Sequence, residues 1–136
     1  MTDLELLKQK LNEQKGYMHF NGIEVTKLEP GYCEARAPMG EEKLNPHGFA
    51  HGGYLFTLCD TVAGIAASTG GRGVVGRSAD VHYLRPAGGE YITARARVVR
   101  QGRNMAFATV ELFDDAGRLA ATAGVDMFFV GQPLAD

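Results

Sequence analysis

The chain lacks most of the features that mark specialised protein classes. It has only two cysteines, Cys33 and Cys59, far apart and in different expected elements. That is no disulfide framework, and the pair reads as reduced, structural thiols in a cytoplasmic protein. Fourteen basic residues face sixteen acidic ones, with no basic block, which argues against a nucleic-acid partner. No apolar run reaches membrane-spanning length, and the first twenty residues are charged and amphipathic, unlike a secretory signal. Internal repeats, low-complexity tracts and interdomain linkers are missing too, so residues 1–136 are expected to form one domain large enough to bury a core. Neither a Gly-x-Ser-x-Gly elbow nor a Gly-x-x-x-x-Gly-Lys-Ser/Thr loop occurs. A literal G-x-G-x-x-G runs from Gly71 to Gly76. It follows an expected helix and precedes an expected strand, the reverse of the order a dinucleotide site requires, so it reads as a helix stop and a turn.

What is present is a clear order of elements. Asp3 to Lys15 carries Leu4, Leu7 and Leu11 at helical spacing and ends at Gly16, a short amphipathic helix with a glycine stop. Ile23 to Glu29 and Tyr32 to Pro38 flank Pro30-Gly31 as two strands of a hairpin. Four long β runs close the chain: Val74 to Leu84, Tyr91 to Gln101, Asn104 to Asp114 and Arg118 to Val130. Their short, turn-rich separators imply an antiparallel meander. Between the two groups, Tyr54 to Ala67 is apolar on every face and predicts a helix over 52–69, buried nearly all round. The expected architecture is α+β: a curved antiparallel sheet of five or six strands wrapped around that one helix.

Asp60 does not belong in such a helix. It is the only side chain charged at neutral pH between His51 and Arg72, two turns past the helix start and too far in to act as a cap. A buried carboxylate is paired, protonated or functional; one alternative is that it only fixes the packing of a loop. Just before the helix, Gly52 and Gly53 have no side chains to keep a ligand from its unpaired N-terminal N–H groups. Donors at a helix end plus a carboxylate are a minimal kit for attacking a carbonyl. His47, His51 and Asp60 are a weak metal set, because Pro46 and Gly48 prevent the helix that would align the two histidines. Cys59 adjoins Asp60 but diverges from it by about 100° on a helix.

Spacing constrains the kit. Gly52 and Asp60 are eight residues apart, about 12 Å along one helix, whereas both groups must come within about 3 Å of one carbonyl. If the chain is a catalyst, one helix cannot do both jobs. Two antiparallel copies across a two-fold axis can, the glycine end of one meeting the aspartate of the other.

Asn45, the His51-Gly52-Gly53 triplet, Leu58 and Asp60, then Ser78-Ala-Asp-Val-His-Tyr-Leu-Arg-Pro86 and Gln101-Gly-Arg103 resemble the PaaI-type hotdog-fold acyl-CoA thioesterases. This is the branch with the phenylacetate-pathway thioesterase and mammalian thioesterase superfamily member 2. The likeness runs from about residue 20 to about residue 130 in register. It implies a hotdog fold, a homodimer made by joining two sheets edge to edge, pairing of dimers into tetramers, and hydrolysis of an acyl-CoA thioester without metal or bound cofactor. It further implies that Asp60 is nucleophile or general base, that Gly52 donates its N–H to the oxyanion and that Asn45 helps hold the thioester carbonyl. His51 matches the adjacent family histidine, and Ser78 a hydroxyl that orients water across the interface. Blander readings stand beside these: Asn45-Pro46 a plain turn, His51 a loop packer, Ser78 a strand residue. Gly53, Arg85 and Arg103 are candidates for substrate and CoA contact, with Arg100 another, since the CoA phosphates need basic groups near the tunnel mouth. Aryl or medium-chain acyl groups are the expected substrates. The rival from another class is a non-catalytic acyl-CoA binding module on the same fold. A hydratase or dehydratase is disfavoured, because no histidine stands beside Asp60 within the helix.

Overall fold

In the computed structural model, residues 1–135 are described. The chain order is α1 (Asp3–Glu13), α2 (Tyr17–Phe20), β1 (Glu24–Glu29), β2 (Tyr32–Pro38), a single 3₁₀ turn (Glu41–Lys43), α3 (Gly52–Ala67), β3 (Val74–Tyr83), β4 (Tyr91–Gln101), β5 (Met105–Asp114) and β6 (Leu119–Phe129). The short helix α2 and the 3₁₀ turn are the elements the sequence pattern does not announce. Helix α3 stops at Ala67, two residues before the expected end. There the Ser68 hydroxyl donates to the Gly64 carbonyl (2.7 Å), which also accepts from the Ser68 N–H, and the Thr69 hydroxyl donates to the Ala66 carbonyl (2.9 Å), one that a further turn would have used.

The six strands form one antiparallel sheet in the order β1-β2-β4-β5-β6-β3. This corrects the simple meander. The segment from Arg85 to Glu90 does not turn β3 back onto β4; it carries the chain from one edge of the sheet to its middle. The sheet curls around α3, the hotdog arrangement. Its inner face is built largely of small residues, Ala35, Ala37, Ala94, Ala96, Ala106, Ala108, Ala121 and Ala123, all buried. Short side chains let the backbone come close, and α3 supplies the bulk with Leu55, Leu58, Val62 and Ile65.

The two edges are treated differently. At β1 the Asn12 side chain acts as a stand-in strand: its Nδ2 donates to the Val25 carbonyl (2.9 Å) and its Oδ1 accepts from the Val25 N–H (2.8 Å). At the other end, no strand among the described residues covers the outer side of β3. An open ten-residue edge invites pairing with another chain.

The β5–β6 connection is locked by Asp114, which is 3% exposed. Its Oδ1 accepts from the N–H groups of Ala116 (3.1 Å) and Arg118 (2.9 Å), and its Oδ2 from Arg118 Nε (2.9 Å). Chiefly the Arg118 amide, against the opposing effect of burial, holds this carboxyl below its ordinary value; the Arg118 guanidinium and the Ala116 amide add to the shift. A pKa lowered on folding stabilises above the unfolded value of about 3.9 and is lost as pH falls through the folded one. Asp114→Ala is therefore expected to lower Tm by about 5 °C at pH 7. The gap from the parent should close as pH drops below about 4. A pH-independent gap in thermal melts would contradict this account of the turn.

Candidate active site

The loop ahead of α3 is shaped by Asn45. Its Oδ1 accepts from the N–H groups of His47 (2.9 Å) and Phe49 (3.1 Å), while the Asn45 N–H donates to the Phe49 carbonyl (2.7 Å). Gly48 turns the loop at φ 85°, a conformation cheap only for glycine. The side-chain oxygen of Asn45 is thus spent inside the loop, and what it can offer a ligand is its amide N–H.

His51 is the N-cap of α3 and is exposed. Its Nδ1 accepts from the Gly53 N–H at 2.8 Å, so the neutral ring carries its proton on Nε2. The N–H groups of Tyr54 and Leu55 both donate to the His51 carbonyl, at 2.9 and 3.1 Å. Among the described residues this leaves Gly52 as the one amide of the first helical turn without an acceptor. The expectation that Gly52 and Gly53 together present free donors is corrected: His51 occupies the second and leaves the first. Gly52 is also held from behind, since the Tyr83 hydroxyl donates to its carbonyl (2.9 Å). A Cβ at Gly52 would lie 3.3 Å from the Tyr83 ring.

Asp60 departs from expectation. It is exposed in the single chain, and α3 is not buried all round. Gly53, Phe56, Thr57, Asp60, Thr61 and Gly64 form an uncovered stripe along it, at the i, i+3, i+4, i+7 spacing of one helix face. Asp60 lines a hollow with Phe56, Gly76, Arg77, Ser78 and Ala79. Glycine at 76 keeps this hollow open, because a Cβ there would stand 3.2 Å from Asp60 Oδ1.

Ser78 borders the same hollow but turns its hydroxyl elsewhere, donating to Asp126 Oδ2 (3.0 Å). The reason is a bulge at Arg77. Gly76 pairs with Met127, whose side chain is buried on the inner face, whereas Ser78 pairs with Asp126 on the outer face. Residues two apart in a regular strand would share a face; the extra residue flips the alternation.

Asn45 and Gly52 line a different hollow, with His47, Phe49, Leu55, Tyr83 and Arg85. Arg100 and Arg103 lie in a third, at the β4–β5 turn, beside Asn104, Phe107 and Asp126. Within one chain, then, the structure brings Asn45, Gly52 and Arg85 together and Asp60 with Ser78. It does not join the two groups, nor Arg103 to either of them. The thiols offer no alternative nucleophile: burial pushes Cys59 up to about 12, with Asp60 adding, and Cys33 up to about 12, with Glu34 adding. Among the described residues no three His, Cys, Asp or Glu side chains gather as a metal site requires, and no helix is long and apolar enough to cross a membrane.

The profile of the "Thioesterase superfamily" matches residues 47–121, more than half of the chain and the whole of α3 with both sides of the helix. The chain belongs to the thioesterase superfamily. Among superfamily relatives, human acyl-coenzyme A thioesterase 13 is 36% identical over 103 residues, covering 73% of this chain and 74% of that one. The Escherichia coli PaaI protein from the phenylacetic acid degradation operon has the same fold, with a TM-score of 0.86 at 24% identity over 92% of this chain and 91% of that one. A Streptococcus mutans protein solved bound to acetyl CoA superposes with a TM-score of 0.80 at 28% identity, covering 89% and 96% of the two chains.

Four residues near the site carry no role in the sequence reading. Tyr83 had a usable signal, an aromatic in the strand run that precedes Arg85-Pro86. Gly76 and Asp126 had none, because the bulge that sets them opposite Asp60 and Ser78 leaves no local trace. Lys43 reads as part of a solvated charge run, Glu41-Glu42-Lys43, yet it is buried.

Proposed function

We propose that this superfamily member hydrolyses acyl-CoA thioesters at sites assembled from two copies of the chain. The observation that carries the proposal is the pairing of one unsatisfied helix-end amide, Gly52, with an exposed carboxylate eight residues along the same helix, Asp60. They are about 12 Å apart along the axis, too far for one substrate to reach both. The open edge of β3 and the uncovered stripe of α3 supply the surfaces for a second copy.

In this reading the two β3 strands pair edge to edge and set two α3 helices antiparallel. The thioester carbonyl oxygen accepts from the Gly52 N–H and the Asn45 amide of one subunit. Asp60 of the other attacks the carbonyl carbon or takes a proton from the attacking water. Collapse of the tetrahedral intermediate expels the CoA thiolate, which takes up a proton. With water as the nucleophile this gives the carboxylic acid directly, and with Asp60 as the nucleophile it leaves an Asp60–acyl anhydride that water then cleaves to the acid and the free carboxylate. His51 keeps the helix start in shape by capping Gly53. Arg85 sits in the Asn45 hollow, where a CoA phosphate entering from that side would meet it. Arg103 joins only if the partner brings its turn to the tunnel mouth. Pairing of dimers into a tetramer belongs to the same proposal, and mass by light scattering reads it.

Aryl groups of the phenylacetyl type and medium-chain acyl groups are the first substrates to try, from the similarity to the PaaI protein. The expected result is release of free thiol from at least one of them, unchanged by a metal chelator. Tight acyl-CoA binding with no thiol release across a broad panel would replace this reading with a binding module.

A further inference from the structure

We infer that Lys43 makes the proposed site selective for acyl groups that end in a carboxylate; this rests on the acyl-CoA reading above. The 3₁₀ turn Glu41–Lys43 rolls Lys43 inward, its N–H donating to the Gly40 carbonyl at 2.9 Å, while Glu41 and Glu42 stay exposed. Lys43 is only 7% exposed. Its Nζ donates to Asn21 Oδ1 at 2.8 Å and lies over the rings of Phe20 and Tyr54, 5.6 and 5.2 Å from their centroids. Asn21 is fixed in that orientation because its Nδ2 donates to the Tyr17 carbonyl (2.9 Å).

An ammonium group has three N–H donors, and Asn21 takes one. Among the described residues no carboxylate lies within ion-pair distance of Lys43; the ion pairs are Lys27–Glu29, Arg95–Glu34 and Arg118–Asp114. Ring faces attract the cation but do not accept its remaining protons as an oxygen would. A buried charge with one neutral partner is costly, and an arriving carboxylate can take both spare donors while cancelling the charge.

Lys43 lines a cavity of about 490 Å³ together with Tyr17, His51, Gly53 and Thr57, and the two rings its ammonium lies over, Phe20 and Tyr54, line it too. Glu42 borders it too, but is exposed, with its carboxylate folded against Gly40. The cavity lies at the start of α3, sharing His51 and Gly53 with it, and the hollow of Asn45, Gly52 and Arg85 lies at the same helix end. A thioester held at Gly52 with its CoA on the Arg85 side has this cavity free for its acyl chain. Its aromatic walls suit the methylenes, and Lys43 is part of its lining. The Lys43 carbonyl also accepts from the His51 N–H (2.8 Å), which ties the amine's backbone to the helix cap.

Hexanoyl-CoA and its ω-carboxy counterpart adipyl-CoA separate this role from a structural clamp. The parent should favour adipyl-CoA by at least about 10-fold in kcat/KM. Lys43→Met, close in volume, should lose at least about 30-fold on adipyl-CoA and stay within about 3-fold on hexanoyl-CoA. An equal loss on both substrates, or a parent that prefers the neutral one, would overturn the inference. Calorimetric binding of the two non-hydrolysable thioether analogues to the parent gives a readout independent of turnover and of the variant's folding. Tighter binding of the carboxylate analogue without hydrolysis of either thioester supports the selectivity and sinks the thioesterase reading. Hydrolysis of hexanoyl-CoA with no preference in either readout does the reverse.

Discussion

Asp60→Asn is expected to lower turnover by at least about 100-fold while leaving fold and acyl-CoA binding in place. The exchange keeps the size of the side chain and removes its negative charge, so neither attack on the carbonyl carbon nor proton abstraction from water remains available. Stability should not suffer, because Asp60 is exposed in the single chain and Gly76, its neighbour across the hollow, adds no side chain that depends on the charge. Paired measurements of kcat for thiol release and of binding by calorimetry check both halves. A variant within a few-fold of the parent would remove Asp60 from the chemistry and return the search to the Asn45 hollow.

The second large effect is a recovery. Asn45→Ala and Asp60→Ala are each expected to be inactive as homodimers, since each breaks both sites. Unfolded together and refolded, the chains pair at random and about half the dimers are mixed. Every mixed dimer holds one intact site, with Asn45 from one chain and Asp60 from the other. The mixture should therefore regain about a quarter of parent activity if the sites act independently. The separation of the two hollows on one chain motivates this: Asn45 and Gly52 line one, Asp60 the other. Were each site built within one chain, every site in the mixture would carry a lesion. A dead mixture whose mixed dimers are verified by native mass spectrometry would end the cross-subunit assignment.

Much of the candidate site was legible because its signals are local. Asp60 stands out as a lone charge in an apolar helix, and Gly52-Gly53 as side-chain-free donors at its start. Which donor stays free was not legible, since that turns on the rotamer by which His51 reaches Gly53. Ser78 shows the same limit at longer range: its type is visible in the sequence, while the face it takes follows from the bulge at Arg77.

The sequence by itself determined the α+β class, the position of α3 to within two residues and the six strands, and it singled out Gly52 and Asp60 as candidates. Periodicity, glycine placement and charge are properties of neighbouring residues, and neighbours are what a sequence records. The tertiary structure alone decided that β3 lies at the far edge beside β6, that α3 keeps an open stripe, and that Lys43 turns inward while Glu41 and Glu42 stay in water. Burial and strand order depend on which distant segments meet. An apolar helix reads the same whether a sheet covers it on all sides or leaves one stripe open.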